Sequence, residues 1–232
     1  MNVDLVKTNL ERVREDMRKA CEESGRDPKE VNLLAVSKGQ NVVAIESAYR
    51  EGHTHFGENY LQEAKEKIER VPLANWHFIG AIQSNKTKEI ANNFNWVHSV
   101  DSERLAKRLS EHRDPKKGKL NMLIQVNTSE EPQKRGVRPD EVYALAKKIS
   151  LFSNISLAGL MTIPAKNQDD NAASSCFRNL RQINEQISHR LGLEKTLHLS
   201  MGMSNDYLLA IKEGSNWVRI GTMIFGPREK HA

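Results

Sequence analysis

The sequence predicts an α/β fold, a single (β/α)8 TIM barrel with one extra helix at its N-terminus. Three observations lead there. After a long opening helical pattern, strand-like and helix-like segments alternate to the end of the chain, and such alternation pairs strands in parallel through helical crossovers. Eight strand-like runs fit within 232 residues, as a closed barrel requires. The turn after the first strand reads Ser37-Lys38-Gly39-Gln40 and lacks the G-x-G-x-x-G of an open dinucleotide-binding sheet, the competing architecture.

The elements follow in order. Leu5, Leu10, Val13, Met17 and Ala20 recur near a 3.6-residue period and predict a helix over about 3–24. Short β-branched and aromatic runs predict strands at 31–36, 53–56, 76–79, 96–100, 120–126, 155–160, 196–199 and 217–220. Helical patterns between them cover about 41–51, 59–70, 84–93, 102–112, 139–151, 170–190 and 205–213, opened by cap or turn residues such as Ser102 and Asn205.

Composition supports one core. With 38% hydrophobic and 28% charged residues and no Pro-, Gly- or Ser-rich linker, residues 1–232 read as one domain. The net charge of +5 comes from Lys and Arg interleaved with acidic residues, as over 63–70, which reads as a solvated helix face. Lys116, Lys117 and Lys119 lack interleaved aromatics, so no nucleic-acid partner is expected, while a small anionic ligand suits the charge. Cys21 and Cys176 lack C-x-x-C spacing and are expected as buried or half-buried free thiols in helices. No signal-peptide core opens the chain and no apolar run approaches the ~18 residues of a membrane span, so a cytoplasmic protein is expected. His53 and His55 share a face of a short strand without further ligands nearby, so no metal is expected. His112-Arg113-Asp114 runs into Pro115 without a preceding glycine-rich loop, which leaves a charged loop instead of a kinase catalytic loop.

Barrels gather their functional residues on the loops after the C-terminal strand ends. Lys38 directly follows the apolar run Leu33-Leu34-Ala35-Val36, so its amine would be directed into the barrel mouth. Partial desolvation or a neighbouring cation there keeps a fraction of an amine neutral and nucleophilic toward an aldehyde. A lysine snorkelling at a strand end is the plainer alternative. Ser200-Met201-Gly202-Met203-Ser204 runs from the seventh strand toward a helix, and Gly221-Thr222 follows the eighth. Loops after strands seven and eight form the common phosphate site of these barrels, although each alone could be a tight turn or a cap. Together with Lys38 they favour a phosphorylated aldehyde. Arg219 lies in an apolar strand and needs an acceptor, either a pyridine nitrogen or an internal carboxylate such as Glu58 or Asp101. An arginine at that nitrogen would leave the ring unprotonated and a poor electron sink. Asn59 suits the ring's phenolic oxygen or the N-cap of the 59–70 helix equally well.

Ordered blocks over nearly the whole chain resemble the pyridoxal phosphate homeostasis protein family. They are Leu34-Ala35-Val36-Ser37-Lys38, His55-Phe56-Gly57-Glu58-Asn59-Tyr60, Trp76-His77-Phe78-Ile79-Gly80, Gln83-Ser84-Asn85-Lys86, Gly159-Leu160-Met161-Thr162-Ile163-Pro164, Ser200-Met201-Gly202-Met203-Ser204, and Trp217-Val218-Arg219-Ile220-Gly221-Thr222 with Ile224-Phe225-Gly226. The resemblance implies a barrel like the N-terminal domain of alanine racemases, with pyridoxal 5'-phosphate held as a Schiff base by Lys38. It also implies Arg219 near the pyridine nitrogen and Ser204, Gly221 and Thr222 at the phosphate. The cofactor-binding set expected is Lys38, Asn59, Ser200, Met203, Ser204, Arg219, Gly221 and Thr222, with no catalytic residue assigned. The implied function is non-catalytic: a monomeric carrier or buffer in intracellular pyridoxal phosphate homeostasis, with enzymes that require the cofactor as recipients.

Three segments depart from the family pattern. Gly39 and Gln40 stand where Thr and Lys are common, removing a second lysine that could take part in transfer. Gly80-Ala81-Ile82-Gln83 replaces a loop that usually carries a His or Pro and a Leu, and Asn205 stands where Asp is common. The competing function is a small pyridoxal phosphate enzyme such as an amino-acid racemase. Racemases of this fold draw a second base, a tyrosine, from a C-terminal β-domain for which no sequence follows the barrel here. A phosphosugar enzyme using Lys38 on a substrate carbonyl is a third reading, resting on fold analogy.

Overall fold

A strand sends alternate side chains to opposite faces, and most strand residues here are buried on both faces, as in a sheet covered by helices outside and closed upon itself inside. The computed structural model describes residues 3–129, 131, 133–165 and 169–227, so both ends of the 1–232 unit lie outside it. Eight strands form a closed barrel in chain order: β1 (Asn32–Val36), β2 (His55–Glu58), β3 (Asn75–Phe78), β4 (Trp96–Val100), β5 (Leu120–Gln125), β6 (Ile155–Met161), β7 (His198–Met203) and β8 (Trp217–Ile220). Every neighbouring pair is parallel, including the closing pair of β1 with β8.

The predicted extra helix is α1 (Val3–Glu23). The helices α2 (Val42–Arg50), α3 (Leu61–Arg70), α4 (Thr87–Asn93), α5 (Glu103–His112), α6 (Val142–Ile149), α7 (Asp170–Arg190), α8 (Tyr207–Lys212) and α9 (Thr222–Phe225) follow the strands in turn. α1 packs against α2, α8 and α9. Its Asn9 Nδ2 donates to the Ile224 carbonyl at 3.0 Å, and Asp16 accepts from the Tyr207 hydroxyl at 3.2 Å.

Several boundaries differ from the sequence expectation. The second strand starts at His55, since His53 is drawn into the preceding turn with its Nε2 2.8 Å from the His55 carbonyl. The seventh is His198–Met203 where 196–199 was expected, because Gly202 at φ 92° lets the chain bulge and keep pairing, with the register against β8 shifting between Ser200 and Met203. The 205–213 helix therefore begins only at Tyr207. The 84–93 and 139–151 helices open with 3-10 turns at Ser84–Lys86 and Pro139–Glu141, and the 59–70 helix begins at Leu61.

The main apolar core lies between barrel and helices, with Phe56, Trp76, Phe94, Phe177 and Phe225 among its fully buried side chains. Cys21 and Cys176 are buried and neither is in a disulfide, as expected. The barrel interior is different. Trp217 of β8 meets His55 of β2 and His77 of β3 at ring separations of 4.9 Å, and Trp96 of β4 at 5.4 Å. These strands are not neighbours of β8, so the contacts cross the barrel, and its lower interior is aromatic and polar where aliphatic layers are usual.

Candidate active site at the C-terminal barrel mouth

The eight residues singled out from sequence fall on one arc of adjacent strands, β7–β8–β1–β2. Register brings them together. Leu34 pairs with Arg219, Met203 with Arg219, and Val36 with Gly57, so the ends of the four strands stand side by side.

Lys38 is half-buried immediately beyond β1, between pinned neighbours. Ser37 donates its N–H to the Gly57 carbonyl at 3.0 Å and its hydroxyl to Glu58 Oε1 at 2.6 Å. Lys67, from α3, donates Nζ to the Ser37 carbonyl and to Glu58 Oε1, both at 2.7 Å, and also to Glu63. Glu63 in turn accepts the Gly39 N–H. Lys38 therefore stands on a loop held from both sides. Burial pushes the Glu58 carboxyl up, with Lys67 opposing, and its Oε2 is buried without a hydrogen-bond partner.

Arg219 is 5% exposed and uses neither Glu58 nor Asp101. Its Nη1 donates to Ser200 Oγ and its Nη2 to the Thr162 carbonyl, each at 2.9 Å. The expected alternative of an internal ion pair is thus replaced by two neutral acceptors, and Glu58 is committed to Lys67. Desolvation pushes the guanidinium down to about 10, opposed by Asp206, which leaves it charged at neutral pH. Ser200 is fully buried, with its hydroxyl accepting from Arg219 Nη1 and lying 2.9 Å from His98 Nδ1.

Beside the ends of β7 and β8 lies a cavity of about 590 Å³ lined by Ile163, Pro164, Met203, Ser204, Asn205 and Thr222. The hydroxyls of Ser204 and Thr222 are 3.4 Å apart. A Cβ on Gly221 would stand 3.0 Å from the Val36 carbonyl oxygen, which keeps backbone close to backbone, and one on Gly202 would stand 2.5 Å from Ala210 Cβ, which seats the β7 end against α8. The Met203 N–H is taken by Asp206 Oδ1 at 2.6 Å, leaving Met203 its half-exposed side chain as a contribution. Asn59 does not cap α3, whose N-cap is Tyr60. Its Oδ1 is buried and unpartnered, and its backbone is locked by Gly80, where a Cβ would collide with the Asn59 carbonyl at 2.1 Å.

This donor set fits a phosphorylated pyridine aldehyde. Two neighbouring hydroxyls can donate to phosphate oxygens, a donor-only guanidinium suits a ring nitrogen, and the unpartnered Asn59 Oδ1 can accept from a ring hydroxyl.

Sequence reasoning missed Lys67, Glu63, Thr162 and the histidines His77 and His98. Lys67 was read as part of a solvated face, yet it is 2% exposed. The available signal was its spacing from Leu61 and Ala64, which puts it on the buried face of α3. Among the described residues no cluster of three or more His, Cys, Asp or Glu residues is arranged for a metal ion.

Residues 8–229 match the family model of the alanine racemase N-terminal domain. A pyridoxal phosphate homeostasis protein of Pseudomonas aeruginosa is 46% identical over 224 residues, covering 95% of each chain. This chain belongs to the pyridoxal phosphate homeostasis protein family. The Haemophilus influenzae member is 43% identical over 96% of each chain. A relative of known structure, PipY of Synechococcus elongatus, was solved with PLP bound; it superposes with a TM-score of 0.82 at 32% identity, over 95% of this chain and 100% of its own. Alanine racemase of Clostridium difficile shares the barrel alone, with a TM-score of 0.78 at 15% identity, over 100% of this chain and 59% of the racemase.

Proposed function

We propose that this chain, folded as one domain, binds pyridoxal 5'-phosphate covalently through Lys38 and serves as a carrier or buffer of that cofactor in the cytoplasm. The observation that carries the reading is the convergence of half-buried Lys38, buried Arg219 and the Ser204–Thr222 hydroxyl pair on the ends of adjacent strands. A family relative, PipY, holds PLP. When bound, the cofactor supplies an aldehyde that a neutral amine captures reversibly, and a ring that can accept electron density.

The chain's own residues then divide the work. Ser204 and Thr222 donate to the phosphate, and Gly221 admits it close to the backbone. Lys38 presents its amine from a loop anchored by Ser37, Glu63 and Lys67. Arg219 donates to the ring nitrogen and, holding its protons at neutral pH, gives none of them to the ring, which keeps the ring a weak electron sink. That supports storage and delivery over catalysis. The recipients in this reading are enzymes lacking their cofactor, and the carrier acts as a monomer. Among the described residues no helix is long and apolar enough to cross a membrane, in keeping with a cytoplasmic role.

The test is direct. Added pyridoxal phosphate should turn the protein yellow, and borohydride reduction should bleach it and leave the pyridoxyl label on Lys38. A protein that stays colourless would sink the reading. Racemisation of amino acids well above a Lys38→Ala control would replace the carrier with a catalyst.

A further inference from the structure

Three histidines stand in the barrel interior and take no part in the function proposed above. His55 opens β2, His77 lies in β3 and His98 in β4. Nδ1 of His55 is 3.0 Å from Nε2 of His77, and Nδ1 of His77 is 3.0 Å from Nε2 of His98. Nδ1 of His98 is 2.9 Å from Ser200 Oγ, which is 2.9 Å from Arg219 Nη1. The line is unbroken. It starts at a cavity of about 300 Å³ under α1 at the N-terminal end of the barrel, which His55 lines, and it ends on the guanidinium at the mouth.

One cation sets the direction of every bond in this line. Arginine only donates, so Ser200 Oγ must accept from Arg219. The single hydroxyl proton of Ser200 then has His98 Nδ1 as its acceptor. Were His98 Nδ1 protonated instead, two donors would face one oxygen and the hydroxyl proton would be left without a partner in a fully buried site. His98 therefore carries its proton on Nε2 and donates to His77 Nδ1, and His77 does the same toward His55. All three rings are neutral: burial pushes His98 down to about 3, His77 well below its ordinary value, and half-buried His55 in the same direction. Apolar side chains would fill this space without needing partners. Three polar rings in register with an arginine call for a function.

We propose that His55, His77, His98 and Ser200 are positioning residues for Arg219, forming a one-way hydrogen-bond chain of Nε2–H tautomers that fixes the plane of the guanidinium. Among the described residues Nη1 and Nη2 each spend one N–H on these partners and no acceptor takes Nε–H, so the fixed plane decides where the three remaining N–H donors point. The inference rests on the cofactor reading above, in which the ring nitrogen is the acceptor.

The experiment is 15N NMR of the histidine side chains, first in the protein free of cofactor and then loaded with 15N-labelled pyridoxal phosphate. Three neutral Nε2–H rings are expected in the wild type. Ser200→Ala should release His98 and His77 from that single tautomer and shift the pyridine 15N resonance, while Ser200→Thr, which keeps a hydroxyl, should preserve both signals. His98→Phe offers the same readout on His77 if Ser200→Ala does not fold. Unchanged tautomers in both alanine and phenylalanine variants, or a pyridine resonance that does not move, would overturn the proposal. A wild type with the tautomer pattern but no yellow band would instead overturn the cofactor reading, and with it the purpose of the chain but not its polarity.

Discussion

The Lys67 ammonium donates to the Glu58 carboxylate at 2.7 Å with the two side chains 3% and 0% exposed, directly behind the loop that presents Lys38. Removing one partner of such a pair leaves a charge buried alone. Lys67→Met should lower stability by about 3–5 kcal/mol, read as a fall in the urea midpoint at unchanged m-value. The double variant with Glu58→Gln should recover part of the loss. A single-variant loss within the surface range, about 0.5 kcal/mol, would show that the pair is not sealed.

Acid should unfold the protein through its buried histidines. Burial holds His53 at about 4 and His98 at about 3, from an ordinary 6.5. A folded-state pKa below the unfolded one means that the unfolded chain takes up the proton first as pH falls. The stability these rings contribute is complete above pH 6.5 and is lost progressively toward pH 4 and 3. Between neutral pH and pH 5 the loss should be roughly 2 kcal/mol for each such ring. Denaturation curves that superimpose across that interval would contradict it.

Gly202→Ala should be destabilising by more than the ~1 kcal/mol of an ordinary Gly-to-Ala effect, since the position needs φ 92° and its new Cβ would press on Ala210. The same change should weaken pyridoxal phosphate binding by displacing Ser204. Calorimetric melting with and without the ligand separates the two effects.

Ser204→Ala and Thr222→Ala should each weaken pyridoxal phosphate about tenfold, the loss of one hydrogen bond to a charged acceptor. Pyridoxal without its phosphate should bind these variants as it binds the wild type. Equal losses for both ligands would move the phosphate away from this hydroxyl pair.

Glu63→Ala should free the Gly39 amide, now accepted by the Glu63 carboxylate, and loosen the Lys38 loop without moving α3. Faster hydrogen exchange at Gly39 beside unchanged exchange in α3 is the expected signature.

The alternation of strands and helices is a local property, and from it followed the barrel, the extra helix α1 and the clustering of Lys38, Asn59, Ser204, Arg219 and Thr222 at one mouth. Parallel crossovers put every C-terminal strand end on the same face, so the site's location was legible without coordinates. Partners were not. Arg219 could equally have met Glu58 or Asp101, and only the shifted register between Ser200 and Met203 places Ser200 Oγ and the Thr162 carbonyl against its guanidinium. In α3 the spacing of Lys67 from Leu61 and Ala64 was the one sign that it turns inward, masked by a charge pattern that matches a solvated face, and its partners depend on what β1 and β2 bring beside it. His98 and Ser200 are 102 residues apart, and barrel closure alone made them neighbours. Periodicity along the chain therefore determined the fold and the end at which the site lies. The partner of each buried polar group depended on strand register and closure, which are set by packing across the whole barrel.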